Sequence, residues 1–317
     1  MINLRYHIVS IVAVFLALAV GVVMGSTVIA DSELDFLRDR QKRLEEDIGD
    51  VSERNADLRR ENDALTTFQR EAEGPLLAGD LAGVPVTVLG IKGVAQEPAE
   101  LLRRQLANAG AQSQGTIWLT RKLRLDSQAD VESLAAALGV EPGTAEETRA
   151  IAIAALAQSV GGVASAPSPV PALRDAGFVE VEAPPEGLGA TSTTTTGPLG
   201  VVPAAPPMHV IVMSGAGAEM SDDEVAIPLV RALAGVLAGV VAVEAGNAEA
   251  GGREVFVGPF RRDGELAPGV STVDNVEAFA GRAAVVVLLR QPAIAERGHY
   301  GVGPQAESEL PPPVAQS

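Results

Sequence analysis

Three hydrophobic periods follow one another along the chain. From Ile8 to Ala30 there is no charged residue, and these 23 positions are almost all apolar. At about 1.5 Å per residue such a helix just crosses a hydrocarbon core of about 30 Å. The period then becomes seven. Leu37, Leu44, Val51, Leu58 and Leu65 recur at every seventh position, and Leu34, Gln41, Ile48, Asn55 and Asn62 stand three before each. These are the d and a positions of a heptad repeat, which predicts a coiled coil over 31–73, ended by Glu73, Gly74 and Pro75. From Val84 onward short β-branched runs alternate with helical spacing. Strands are predicted at 84–91, 116–120, 178–183, 208–213, 240–245 and 283–289. Helices are predicted at 97–110, 131–138, 146–160 and 222–237. Near-continuous apolar strands between helices predict a mainly parallel sheet covered on both faces, an α/β Rossmann-like layered domain over 80–290.

Charge placement orients the first segment. Arg5 and His7 precede the apolar run, and Asp31, Glu33 and Asp35 follow it. The positive-inside rule then puts residues 1–30 down as a cytoplasmic stub and anchor, with the bulk extracytoplasmic. Val28 and Ala30 also sit as small residues do before a signal-peptidase site. The run is longer than the h-region of about 7–15 residues, so an uncleaved anchor is the favoured reading.

The a positions refine the coil. Asn55 and Asn62 would be buried polar pairs, which select a parallel, in-register dimer at a cost in stability. Arg40 would meet Glu45 of a partner chain favourably, whereas Arg54 would meet Arg59. Gly21 and Gly25 form a G-x-x-x-G, a helix-packing face in lipid. At 100° per residue Gly25 lies about 180° from Leu34 and about 120° from Leu37. One unbroken helix cannot put both faces in one seam. Either the helix breaks near Gly25 and Ser26, or the glycines meet something else, such as a second membrane protein.

Composition removes several functions. The net charge of -17 argues against a nucleic-acid partner, which needs clustered Lys and Arg. There is no Cys, which excludes disulfides, thiolate metal sites and a Cys nucleophile. No G-x-S-x-G or H-E-x-x-H occurs, so no enzyme is expected, and these residues imply no cofactor firmly. Residues 182–207, rich in Thr, Gly and Pro, read as a disordered insertion, and 291–317 as a Gly- and Pro-rich tail. Gly90, Gly93, Gly215 and Gly217 follow strands. They are either phosphate-cradling turns or, more simply, tight strand-to-helix turns. Ser221 and Glu224 have the spacing of a capping box, which supports the simpler reading. The one soft-metal candidate is Met208, His209 and Met213, where thioether and imidazole would suit Cu(I). His209 and Met213 share a strand face, and Met208 points the other way.

Three stretches carry a family resemblance. "LRYHIVSIVAVFLALAVGVVMGS" resembles the anchor of the actinobacterial copper transport protein B (MctB) family. "GHYGVGP" (298–304) resembles its C-terminal signature, and "VSTVDNVEAFAGRAAVVVLL" (270–289) the segment before it. The order of anchor, coil and α/β domain matches as well. The resemblance implies a membrane protein of the cell envelope, a copper transporter or outer-membrane channel acting in copper export and homeostasis. It also implies a second possibility, a coiled-coil partner of another envelope membrane protein in peptidoglycan remodelling and cell division. The residues speak against a β-barrel channel, which needs about 10-residue alternating strands and aromatic girdles. The partners expected are therefore a second copy in a parallel homodimer, or a coiled-coil envelope protein, and the membrane. Gly298, His299, Tyr300 and Gly301 are expected as an exposed surface of the family motif.

Overall fold

The computed structural model describes residues 4–162, 167–183, 209–246, 256–263, 265–266, 269–290 and 298–312; of 4–5, 26–38, 70 and 114 it describes only the backbone. Two compact units result, Met1–Phe68 and Gln69–Ser317. Residues 184–208, which take in most of the insertion predicted at 182–207, lie outside the described residues, as do 291–297.

One helix, α1 (Leu4–Leu77), runs through the apolar segment and the heptads without a break at Gly25. Its stretch Tyr6–Gly25 has a mean hydropathy of 2.8 and is long and apolar enough to cross a membrane. The predicted stop at Glu73–Pro75 is overrun to Leu77. Pro75 forfeits one backbone donor near the helix end, where its carbonyl partner is the only one lost.

The second unit is built on one open sheet of seven strands in the order β3-β2-β1-β4-β5-β6-β7. These are β1 (Pro85–Ile91), β2 (Gln112–Leu119), β3 (Val179–Glu182), β4 (His209–Gly215), β5 (Val240–Ala245), β6 (Val270–Val273) and β7 (His299–Tyr300). Every neighbouring pair is parallel except β2 with β3. Both faces are covered, as parallel strands require. Along β4 the alternation divides the core. Val210 and Val212 pack toward α3 (Gln128–Leu138), α4 (Ala145–Val160), α5 (Val170–Asp175) and α6 (Ala226–Ala234). Ile211 and Met213 pack toward α2 (Gln96–Asn108), α8 (Phe279–Leu289) and Leu77 at the end of α1.

Local chemistry starts two of the helices. Ser127 caps α3 by accepting the Asp130 N–H, and Thr144 with Glu147 forms a full capping box on α4. The box expected at Ser221 and Glu224 does not start a helix. The chain turns there, and α6 begins at Ala226 after the uncapped Val225.

The main correction concerns 283–289, which is the end of helix α8 rather than a strand. Nearly every residue from Gly281 to Leu289 is buried. A segment buried all round has no polar face to show a 3.6 period, so pattern alone cannot separate it from a strand. Topology decides. Strands β6 and β7 are parallel neighbours, and a parallel return needs a crossover, which α8 supplies. The predicted tail is also partly structured, because His299 and Tyr300 form the edge strand beside β6.

Candidate functional site

Ligands of open α/β sheets bind outside the carboxyl ends of the strands, at the point where strand order reverses. Here that point lies between β1 and β4. The two glycine turns that follow these strands close it against each other. A Cβ on Gly93 would fall 2.5 Å from the Gly217 carbonyl oxygen, and one on Gly217 would fall 2.6 Å from that of Gly93. Two backbone bonds lock the turns together, Glu219 N–H to Lys92 O at 2.8 Å and Ala95 N–H to Ala216 O at 3.3 Å. The glycines allow close approach of backbone to backbone, so the tight-turn reading stands and no phosphate cradle is open at this point.

Further along the same rim stands a row of acids, Glu244 and Asp274 buried and Asp222 half-buried. Burial pushes the Asp222 carboxyl up to about 6, with Glu244 and Asp223 adding repulsion and a hydrogen bond from Ser214 opposing it. Glu244, at the end of β5, is buried and accepts the N–H groups of Phe256 at 3.1 Å and Val257 at 2.9 Å. Asp274, just past β6, pairs with Arg261 of the short helix α7 (Gly258–Arg262) at 2.7 Å, both side chains fully buried.

The Arg261–Asp274 pair holds the C-terminal motif. Asp274 accepts the N–H of Val302 at 2.8 Å and of Gly303 at 3.1 Å. Arg261 donates to the Tyr300 carbonyl at 2.6 Å and to Thr272 Oγ1 at 3.0 Å. Thr272 Oγ1 in turn lies 3.0 Å from His299 Nδ1. Burial lowers the His299 pKa; Glu307 opposes this and Arg261 adds to it. Gly301 has φ +129, and a Cβ there would meet Asp274 Oδ1 at 2.0 Å. Gly298, Tyr300 and Gly301 are buried and His299 is half-buried, so the expected exposed surface is instead an internal fastening. The sequence reading missed Arg261 and Asp274. The available signal was an acid at the very end of an apolar strand run, "VSTVD".

Of the copper candidates, His209 and Met213 are not brought together. His209 and Met213 are both buried in β4, four residues apart. At about 3.3 Å per residue they are separated by about 13 Å along the strand, too far to share one ion. Met208 lies outside the described residues. Among the described residues no group of three or more His, Asp or Glu is placed to hold a metal.

On α1, the seam residues are left uncovered. Leu44, Ile48, Val51, Leu58 and Leu65 are each more than half exposed, with Ile48 at 67%. Asn55 and Asn62 are exposed beside them. The side chains of Leu34 and Leu37 lie outside the described residues.

Comparison with known proteins agrees over almost the full length. A family model described as copper transport outer membrane protein, MctB, matches residues 1–311. The chain is 26% identical over 326 aligned residues to a protein of Mycobacterium tuberculosis (strain ATCC 25618 / H37Rv) named Copper transporter MctB, covering 97% of this chain and 98% of that one. The protein of the same name from Mycobacterium leprae (strain TN) is 27% identical over 329 residues, with the same coverage.

Proposed function

The chain belongs to the MctB family, and on that premise we propose that it is a single-pass envelope protein in copper export and homeostasis that works by coupling proteins rather than by conducting the ion. The N-terminus is cytoplasmic and the bulk extracytoplasmic. Residues 31–73 form a parallel homodimeric coiled coil of about 65 Å. The observation that carries this reading is the uncovered seam of α1. A Leu, Ile or Val side chain is worth about 1.5–3 kcal/mol when fully buried. Association costs about 4–15 kcal/mol in lost freedom. Five such residues per chain, Leu44 to Leu65, are enough to offset that cost, and two Asn layers set the register.

Copper enters through the family, and the roughly 13 Å between His209 and Met213 supports a role outside the domain core. The open sheet, with helices between its strands, supports a soluble-type domain rather than a barrel wall.

A second reading has its own support. Because α1 is unbroken, the Gly21–Gly25 face points away from the heptad seam. That favours a second membrane protein as partner, as in a scaffold for peptidoglycan remodelling and cell division.

The test is sedimentation velocity of a 31–317 fragment. Wild type is expected as a dimer and the Leu44→Asp/Leu58→Asp double variant as a monomer; equal sedimentation of the two would refute the coil. Competition for Cu(I) with a chromogenic chelator, on wild type and on His209→Ala and Met213→Ala variants, tests the copper side. Tight stoichiometric binding lost in the variants would put copper handling in the domain and overturn the coupling role.

A further inference from the structure

With the switch point sealed, the open cleft lies one strand away, over the carboxyl ends of β1 and β2. It has a volume of about 490 Å³, and its walls include Lys92, Gln96, Arg103, Trp118, Glu182 and Glu219. That size is within the range of small-molecule sites, about 300–1,000 Å³.

Its floor is a fixed aromatic plane. Gly90 and Trp118 are register partners on β1 and β2. A Cβ on residue 90 would fall 2.3 Å from Trp118 Cζ3 and 2.5 Å from Cε3, so the indole lies flat on the bare backbone of Gly90. At its polar tip Nε1 donates to Glu182 at 2.8 Å. The ring is therefore pinned at both ends and half-buried.

Around this plane donors alternate with acceptors. Arg103, 13% exposed, binds Glu182 at 2.6 Å, and Lys92 pairs with Glu180 on the edge strand β3. Desolvation pushes the Glu182 carboxyl up, but hydrogen bonds from Trp118 and Arg103, with the charges of Arg103 and Lys92, outweigh it and leave the pKa lowered. Glu219 is exposed opposite, on the turn after β4, and Gln96 offers both a donor and an acceptor.

Chemistry narrows the occupant. Two cations in the lining face Glu100, Glu182 and Glu219, so a phosphate or nucleotide meets net repulsion. A flat aromatic surface edged by the paired Arg103 and Glu182, with the exposed Gln96 and Glu219 in the same lining, matches a ligand with an apolar C–H face and hydroxyls that donate and accept at its edge. We propose that this cleft is a saccharide site, taking a neutral or N-acetylated pyranose stacked on Trp118 and held at its edge by Arg103, Glu182 and Glu219. The site shares no residue with the seam of α1 and does not depend on dimerisation.

Trp118 is the chain's one Trp, so tryptophan emission reports this cleft directly. The full chain is titrated in lipid nanodiscs, because glucoside or maltoside detergents would compete. The probes are triacetylchitotriose, maltotriose and inorganic phosphate. Saturable emission change with one of the sugars is expected, matched by heat in calorimetry, with none for phosphate. Trp118→Ala, read by calorimetry, and Glu219→Gln, on an exposed turn and read by both methods, are each expected to weaken binding roughly tenfold. Leu44→Asp/Leu58→Asp is expected to leave it unchanged. No saturable response to either sugar by either method, sugar binding that survives both cleft variants, or saturable binding of phosphate would each overturn the assignment.

Discussion

Replacing Asp274 by Asn isolates what fastens the C-terminal motif to the domain. The amide keeps the shape of the carboxylate but carries no charge and turns one acceptor into a donor. In the wild type both oxygens are taken, Oδ1 by the Val302 N–H and Oδ2 by Arg261 and the Gly303 N–H. Either orientation of the amide therefore points N–H at N–H. Arg261 remains, with its side chain 0% exposed and its counter-charge removed. Breaking a buried pair from one side costs about 3–5 kcal/mol. For a unit of about 250 residues each kcal/mol moves Tm by roughly 2–4 °C. Asp274→Asn should thus lower Tm by about 6–20 °C, while Asp175→Asn, in an exposed surface pair with Arg174, should change it little. Limited proteolysis should cut 298–312 first, because β7 contributes only His299 and Tyr300 to the sheet. A Tm within about 2 °C of wild type, with an intact C-terminus, would refute the view that this pair holds the motif.

Other consequences can be tested on the same fragment. The folded Asp222 carboxyl, at about 6, holds its proton more tightly than an unfolded one at about 3.9, so its ionisation penalises the fold as pH rises through 6. Asp222→Asn should therefore stabilise the protein by at most about 3 kcal/mol at pH 8 and by nothing at pH 4, read by urea melts; an equal effect at both pH values would contradict the argument. Arg282, buried on α8, donates twice to Glu73 of α1, at 2.7 and 3.0 Å, and also to the carbonyls of Val276 and Glu277. Arg282→Met should cost about 3 kcal/mol and speed amide exchange in 69–77; unchanged exchange there would show that the α1 end docks by its apolar contacts alone.

The sequence was most legible where a short β-branched run forms a central strand of the sheet. The runs at 84–91 and 240–245 are found as β1 and β5 within a residue at each end, because parallel central strands leave a dense β-branched signature. The same density misled at 283–289, where a fully buried helix presents only apolar side chains. Strands β6 and β7 have four and two residues, too short for a period of two to register. Site residues were less legible than elements. Asp274 and Arg261 are thirteen positions apart and meet only because α7 precedes β6. Gly90 and Trp118 meet through the register of β1 with β2. Neither pairing has a sequence spacing, so neither could be read before the sheet was known.

The geometry at the sheet's carboxyl end bears on what a copper-linked member of this family can do. Three of its acids are already committed to internal partners: Glu182 to Trp118 and Arg103, Glu244 to two backbone N–H groups, and Asp274 to Arg261 and two more. A carboxylate so engaged must surrender hydrogen bonds worth about 1.5–3 kcal/mol each before it can ligate an ion. Met213 sits in the core, where reaching it means opening the sheet face. The groups that remain unspent are of a different kind, an apolar seam along α1 and an aromatic cleft beside β1. Both suit recognition of other molecules. The proposed copper role is therefore best sought in what the stalk and the domain hold in place, and the coupling reading predicts that Leu44→Asp/Leu58→Asp will change cellular copper tolerance while His209→Ala and Met213→Ala, at matched protein levels, will not.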